Sequence, residues 1–101
     1  MNGFSLATPE QISQTLAARV KALRLARGWK QITLAQRSGV SLASLRRFEE
    51  SGRVSLQSLL DLAFALNRLD DFDVLFQGVQ ASSLAELEAG EKLPTRKRGR
   101  I

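Results

Sequence analysis

The chain has 101 residues, the length of one domain, with a formal net charge of +5 and a hydrophobic fraction of 44%. It contains no cysteine and no histidine, which excludes disulfides, thiolate nucleophiles, imidazole bases and Cys/His metal sites. Leu and Ala dominate the apolar residues and Tyr is absent, so the composition predicts an all-α fold. We also expect no cofactor.

Charge is distributed unevenly along the chain. Residues 19–53 carry a net charge of +7, residues 54–95 carry −5, and the last six residues carry +4. This asymmetry indicates that the basic part of the chain forms a surface for a polyanion and that the acidic part faces away from that polyanion. No apolar run approaches the ~20 residues of a membrane span, and the N-terminus lacks the pattern of a signal peptide. We therefore expect a cytoplasmic protein that makes no membrane contact.

The first helix is predicted to begin at Thr8-Pro9, because Thr8 and Gln11 are spaced as a capping box and proline suits the first helical position. Gly28 is expected to end it in a left-handed conformation. Between these signals, apolar residues recur at steps of three and four and form one stripe along the helix: Ile12, Leu16, Val20, Leu23 and Ala26.

A second, short helix is predicted over residues 31–37, followed by a tight turn over residues 38–41. Ala35 is small where two helices must cross closely. Gly39 supplies a positive-φ residue in the turn, and Ser41 is a favourable N-cap for the next helix.

The third helix is predicted from Leu42 to Glu50, with Leu45 and Phe48 anchoring its inner face to the core. These packing positions leave the other side chains on or near the outer face: Ser41, Leu42, Ala43, Ser44, Arg46, Arg47 and Glu50. A helix of this kind fits the major groove of DNA, where its N-terminal part and exposed face reach base edges.

Three further helices are predicted. Ser55 caps a fourth helix, which is apolar over a wide arc and is expected to be buried centrally. A fifth begins at Asp70 or Asp71 and contains Phe72, Leu75 and Phe76. Its N-terminal caps are expected to be acids favoured by the helix dipole: Asp70, Asp71 and Asp73. A short sixth helix runs from Ser83 to Gly90. We therefore expect a domain over residues 8–80, then a C-terminal helix and a flexible basic tail over residues 81–101. The tail residues Arg96–Arg100 fit either a solubilising end or an arm that follows DNA phosphates or enters the minor groove.

Two short helices joined by a glycine-containing turn form the helix-turn-helix pattern. The stretches WKQITLA at 29–35, SGVS at 38–41 and LRRFE at 45–49 resemble the Cro/phage-repressor (Xre) helix-turn-helix family. The similarity covers residues 16–76. It implies a five-helix lambda-repressor-like domain, here with a short extra C-terminal helix and the basic tail, that binds a double-stranded DNA operator as a two-fold homodimer.

The resemblance also implies roles for particular residues. Gln31 would contact the DNA backbone, Leu42, Ala43 and Arg47 would face bases, and Glu49 would serve structure by bonding near the following loop. The chain departs from the family at Lys30, where many relatives have a capping Ser or Thr, and at the apolar pair Leu42 and Ala43.

We therefore predict direct base readout by Leu42, Ala43, Arg46 and Arg47, with the two arginines able to grip guanine O6 and N7. The predicted phosphate contacts are Lys30, Gln31, Arg37, Ser41, Ser44 and Arg53. The fifth helix commonly forms the two-fold interface in such domains, so Phe72, Leu75 and Phe76 are predicted to pack across it. The alternative is that these residues complete the hydrophobic core of their own domain. Trp29 is expected to pack in the core and not to stack on a base.

A narrower resemblance concerns the phrase SLRRFEESGRVSLQSLLDLAFAL, followed by FDVLF and the basic tail. It is similar to regulators that accompany HipA-type kinase toxins, which implies a HipB-like antitoxin that represses its own operon. The alternatives are a stand-alone regulator without a toxin and a helical adaptor that binds only protein. No enzyme is predicted, because no glycine-rich phosphate loop or paired-carboxylate pattern is present.

Overall fold

The computed structural model describes residues 7–78, and these form five helices without a strand. The helices are α1 Pro9–Ala26, α2 Gln31–Ser38, α3 Leu42–Ser51, α4 Leu56–Ala65 and α5 Asp70–Asp73. The predicted all-α fold is confirmed. The predicted sixth helix, the basic tail and the expected domain boundary at residue 80 lie outside the described residues.

Short-range capping signals determine where the helices begin. Thr8 and Gln11 form the predicted capping box, with the Thr8 amide donating to Gln11 Oε1 at 2.9 Å and the Gln11 amide donating to Thr8 Oγ1 at 3.2 Å. Ser41 and Ser55 each accept a hydrogen bond from the amide three residues later. These side chains satisfy backbone donors that have no partner inside the helix.

The core lies where α3 packs on α1 and α2, and where α2 packs on α4. Its largest fully buried side chains come from α2, α3, α4 and the α4 C-cap: Phe48, Leu34, Leu45, Leu62 and Leu66. Gly52 ends α3 close to the backbone of α1, because a Cβ built on it would lie 2.9 Å from the carbonyl carbon of Ser13. The end of α3 is therefore held against α1 at a distance that only glycine allows.

Helix α4 is less buried than its apolar composition predicted. Leu59, Leu62 and Ala63 are buried, but Leu56 is 67% exposed and Phe64 is 72% exposed. The apolar arc is wider than the surface that the neighbouring helices of residues 7–78 cover. One side of α4 therefore faces outward within this part of the chain.

Helix α5 is shorter than predicted and is capped differently. Its N-cap is Leu69, which makes no side-chain cap bond, so the prediction that Asp70, Asp71 and Asp73 act as caps is wrong. All three do lie in the first turn, where the helix dipole favours acidic residues as predicted. Asp71 instead pairs with Arg68 at 2.9 Å, and all three aspartates lie within the helix. The chain leaves the helix after Asp73, so Leu75 and Phe76 lie beyond it. Among residues 7–78, no helix has the length and hydropathy needed to cross a membrane.

Candidate nucleic-acid interface

The predicted turn joins α2 to α3 through a left-handed glycine. Gly39 has φ +79° and its amide donates to the Ala35 carbonyl at 2.9 Å. The Ser38 hydroxyl donates to the same carbonyl and accepts from the Val40 amide. With Val40 buried beneath the turn, these bonds fix the angle at which α3 leaves α2.

Helix α3 presents an exposed, basic outer face. Leu45 and Phe48 are buried as predicted, while Ala43, Arg46 and Arg47 are exposed on the outside. Leu42 is half-buried and packs against the core, so only part of this side chain is accessible.

A cleft of about 300 Å³ lies between α3 and the beginning of α4. Its lining comprises Ser44, Arg47, Arg53, Val54, Ser55 and Ser58. Two arginines beside a helix N-terminus create a positive site that suits a phosphate group. Arg47, Arg53 and Ser44 were predicted to contact DNA, whereas the sequence did not place Val54, Ser55 and Ser58 beside them. The sequence signal for this cleft was Ser55, the N-cap of α4, which follows Arg53 by two residues.

Two other predicted phosphate contacts, Lys30 and Arg37, lie in different surroundings. Lys30 is exposed at the start of α2 and makes no side-chain cap bond, as its departure from the family pattern predicted. Arg37 stacks on Trp29, with its guanidinium carbon 4.4 Å from the ring centroid. Arg27 lies 5.6 Å from the same ring, which is half-buried against the core. Trp29 is thus a packing residue, and it holds Arg37 in a cation–π contact.

A buried ion pair crosses behind the outer face of α3. Arg24 Nε donates to Glu49 Oε2 at 2.8 Å, and Arg24 Nη2 donates to Glu49 Oε1 at 3.0 Å. Their side chains are 7% and 4% exposed. The family resemblance implied that Glu49 bonds near the following loop, and this is corrected, because its partners are Arg24 of α1 and Gln31 of α2.

Arg24 was not singled out from the sequence as the partner of Glu49. It follows Ala17 and Val20 at helical spacing, and all three residues are buried. A charged residue in the register of an apolar stripe was the signal that could have found it, because such a residue needs a buried partner.

The predicted dimer residues form a partly exposed group at the end of the described chain. Phe72 is half-buried and packs against the core, Leu75 is 53% exposed and Phe76 is 99% exposed. Phe72 thus contributes to the domain's own core, while Leu75 and Phe76 contribute little to it.

Comparison with known proteins bears on this arrangement. A family model described as helix-turn-helix matches residues 20–72, which is just over half of the chain and includes α2, the turn and α3. A comparison with curated proteins found no significant match. With its buried Ala35, Leu45 and Phe48 and its outward α3, the chain belongs to the Xre/lambda-repressor-like helix-turn-helix family of DNA-binding regulatory domains.

Proposed function

We propose that this protein is a sequence-specific transcriptional repressor that binds a double-stranded DNA operator as a homodimer, with α3 in the major groove. One observation carries the proposal: α3 buries Leu45 and Phe48 while its opposite face presents Ala43 and Arg47. A helix held in this way can insert its exposed face into a groove and keep its orientation.

Base readout is assigned chiefly to Arg47. Within residues 7–78 its guanidinium makes no hydrogen bond or ion pair, so its donors are available to guanine O6 and N7. Ala43 is exposed and suits contact with a thymine methyl, and the accessible part of Leu42 can add to that contact.

Backbone contacts are assigned to residues that flank α3. Arg53 and Ser44 line a cleft that suits a phosphate, and Ser41 lies at the N-terminus of α3. Lys30 supplies an exposed ammonium group at the start of α2, with no side-chain cap bond among residues 7–78. Arg37 can contribute charge from its position over Trp29. Such contacts set the position of the protein on DNA without reading sequence.

The homodimer is supported by the exposed apolar residues that follow α5. Leu75 and Phe76 have little contact with the rest of residues 7–78, and burying them would be favourable. A two-fold dimer would place its two α3 helices on half-sites ~34–36 Å apart.

A second candidate function is that of an antitoxin that also neutralises a HipA-type kinase toxin. It is supported by the similarity of residues 44–66 and 72–76 to regulators that accompany such toxins, and by the acidic character of residues 54–95. Co-expression with the product of the adjacent gene tests it. Growth rescued by this protein supports the antitoxin role, and unchanged toxicity contradicts it.

The test of the main proposal is fluorescence anisotropy with the duplex upstream of the protein's own gene and a scrambled duplex, across a salt series. We expect binding to the upstream duplex to be roughly 10³-fold tighter or more. Equal, weak and salt-driven binding to both duplexes would contradict operator binding there and favour a protein-binding adaptor.

The same assay tests Arg47. Arg47→Ala should cost about 1–3 kcal/mol on the operator and relax base preference, with a smaller change on scrambled DNA. Arg19→Ala is the matched control, because it removes the same charge from an exposed position on α1. Equal losses on both duplexes for Arg47→Ala would remove this residue from base readout.

A further inference from the structure

Two polar side chains, Gln31 and Arg46, connect the buried Arg24–Glu49 pair to the outer face of α3. Gln31 Nε2 donates to Glu49 Oε1 at 3.0 Å, and Arg46 Nε donates to Gln31 Oε1 at 3.4 Å. Glu49 is held in turn by the two bonds from Arg24. The series runs from a buried guanidinium in α1 to an exposed guanidinium in α3.

The chemistry of the partners determines which way the Gln31 amide points. A carboxylate only accepts hydrogen bonds, so the NH₂ group of Gln31 must face Glu49. A guanidinium only donates, so the carbonyl oxygen of Gln31 must face Arg46. Both neighbours require the same orientation, and the buried ion pair keeps Glu49 from turning away.

This orientation has a consequence for binding an anion. The outward Gln31 carbonyl would repel a phosphate, but Arg46 lies against it with its two Nη groups free of protein partners among residues 7–78. Gln31 also retains a second N–H on Nε2. Together the two side chains offer several donors to one phosphate, whereas Gln31 alone would present a mixed surface.

We infer that Gln31 and Arg46 bind one DNA phosphate as a unit whose orientation is fixed by the buried Arg24–Glu49 pair, and that Arg46 positions α3 and does not read a base. This rests on the proposed function, since it assumes that α3 docks on DNA. It assigns different roles to the two adjacent arginines: Arg46 holds the backbone, and Arg47 reads sequence.

The test is a double-mutant cycle with Gln31→Ala, Arg46→Ala and the double variant. Anisotropy is measured on a duplex selected from a randomised pool and on a scrambled duplex, across a salt series. We expect Arg46→Ala to weaken binding to both duplexes by roughly tenfold per protomer and to lower the salt slope by about 0.9 per protomer. The double variant should bind about as weakly as Arg46→Ala alone, because the unit is already broken.

Two results would overturn the inference. A loss confined to the selected duplex, with an unchanged salt slope, would make Arg46 a base reader. Strictly multiplicative effects of the two substitutions would show that Gln31 and Arg46 act separately. Arg47→Ala is the matched control, since it should lose preference for the selected duplex. Because Arg46 is exposed, its variant should keep the unfolding midpoint of the unchanged protein.

A second measurement identifies the phosphate directly. Single neutral methylphosphonates are placed along the selected duplex, one phosphate at a time. At the phosphate bound by the unit, this replacement should weaken binding of the unchanged protein but leave the affinity of both Gln31→Ala and Arg46→Ala unaltered. If the two variants become insensitive at two different phosphates, the shared site is overturned. If the pool yields no preferred sequence, the proposed function fails. The coupling energy between Gln31→Ala and Arg46→Ala and the salt slope, both measured on the scrambled duplex, still test whether the two residues share one phosphate.

Discussion

At the scale of single residues, the Arg24–Glu49 pair is the most consequential contact within the described chain. Both groups lie almost out of solvent, where an unpaired charge is strongly unfavourable. Their two hydrogen bonds, together with the bond from Arg24 Nη1 to the Trp29 carbonyl at 2.9 Å, offset that cost. The pair thereby ties α1 to α3 and to the loop before α2.

Glu49→Ala should destabilise the protein by about 3–5 kcal/mol, because it leaves Arg24 buried without its counter-charge. That is a large part of the stability of a small domain. Urea unfolding followed by circular dichroism measures the change. Glu50→Ala is the control, since the neighbouring glutamate is exposed and should change stability by less than about 0.5 kcal/mol.

Replacing both partners separates the cost of an orphaned charge from the value of the pair. We expect Arg24→Met combined with Glu49→Leu to be clearly more stable than Glu49→Ala alone, because no buried charge remains unpaired. A double variant as unstable as the single one would contradict this explanation. It would indicate that the bonds to Gln31 and Trp29 dominate.

At the scale of helices, α2 differs from α1, α3 and α4 in how it begins. Those three helices start with a Thr or Ser side chain that accepts a backbone hydrogen bond. Lys30 occupies the same position before α2 with suitable dihedral angles, φ −76° and ψ 165°, but makes no such bond. A lysine here gives up capping stability and places a positive charge at the N-terminus of α2, next to Gln31.

Lys30→Thr should therefore raise stability by about 0.5–1 kcal/mol while weakening DNA binding. Thermal unfolding reports the first change, and the salt slope of anisotropy binding, lowered by about 0.9 per protomer, reports the second. The same substitution at Lys21, exposed within α1, is the control and should be slightly destabilising. Unchanged DNA affinity in Lys30→Thr would remove Lys30 from the phosphate contacts.

At the scale of the whole molecule, the described chain leaves large apolar side chains outside its core. Phe64 on α4 and Leu75 and Phe76 beyond α5 are examples, and Phe76 also has a positive φ of 62°. The proposed dimer would remove some of this surface from water. Association and DNA binding would then depend on each other, because operator half-sites match a two-fold protein.

Leu75→Asp should shift the monomer–dimer equilibrium toward the monomer, since a charge would enter the proposed interface without a partner. Sedimentation equilibrium measures the shift, which we expect to be at least roughly tenfold in the dissociation constant. Leu25→Asp is the matched control, because Leu25 on α1 is 56% exposed against 53% for Leu75. An equal effect of both variants, or none, would contradict this interface.

Features that depend on neighbours within one or two helical turns could be predicted from the order of the residues alone. The capping box at Thr8 and Gln11, the left-handed Gly39 and the caps at Ser41 and Ser55 were all predicted and are confirmed. So were the inward Leu45 and Phe48, because their spacing alone puts them on one face. These local signals were sufficient to predict the helix-turn-helix and the exposed face of α3.

Contacts between side chains of different helices become known only from the folded chain. Arg24 and Glu49 are 25 residues apart, and Gln31 and Arg46 are 15 apart, so no local pattern specifies either contact. The cleft beside Arg53 arises in the same way, where α3 meets the beginning of α4. The physical reason is that such contacts depend on the angles and distances at which helices cross, and these are set by packing of the entire core.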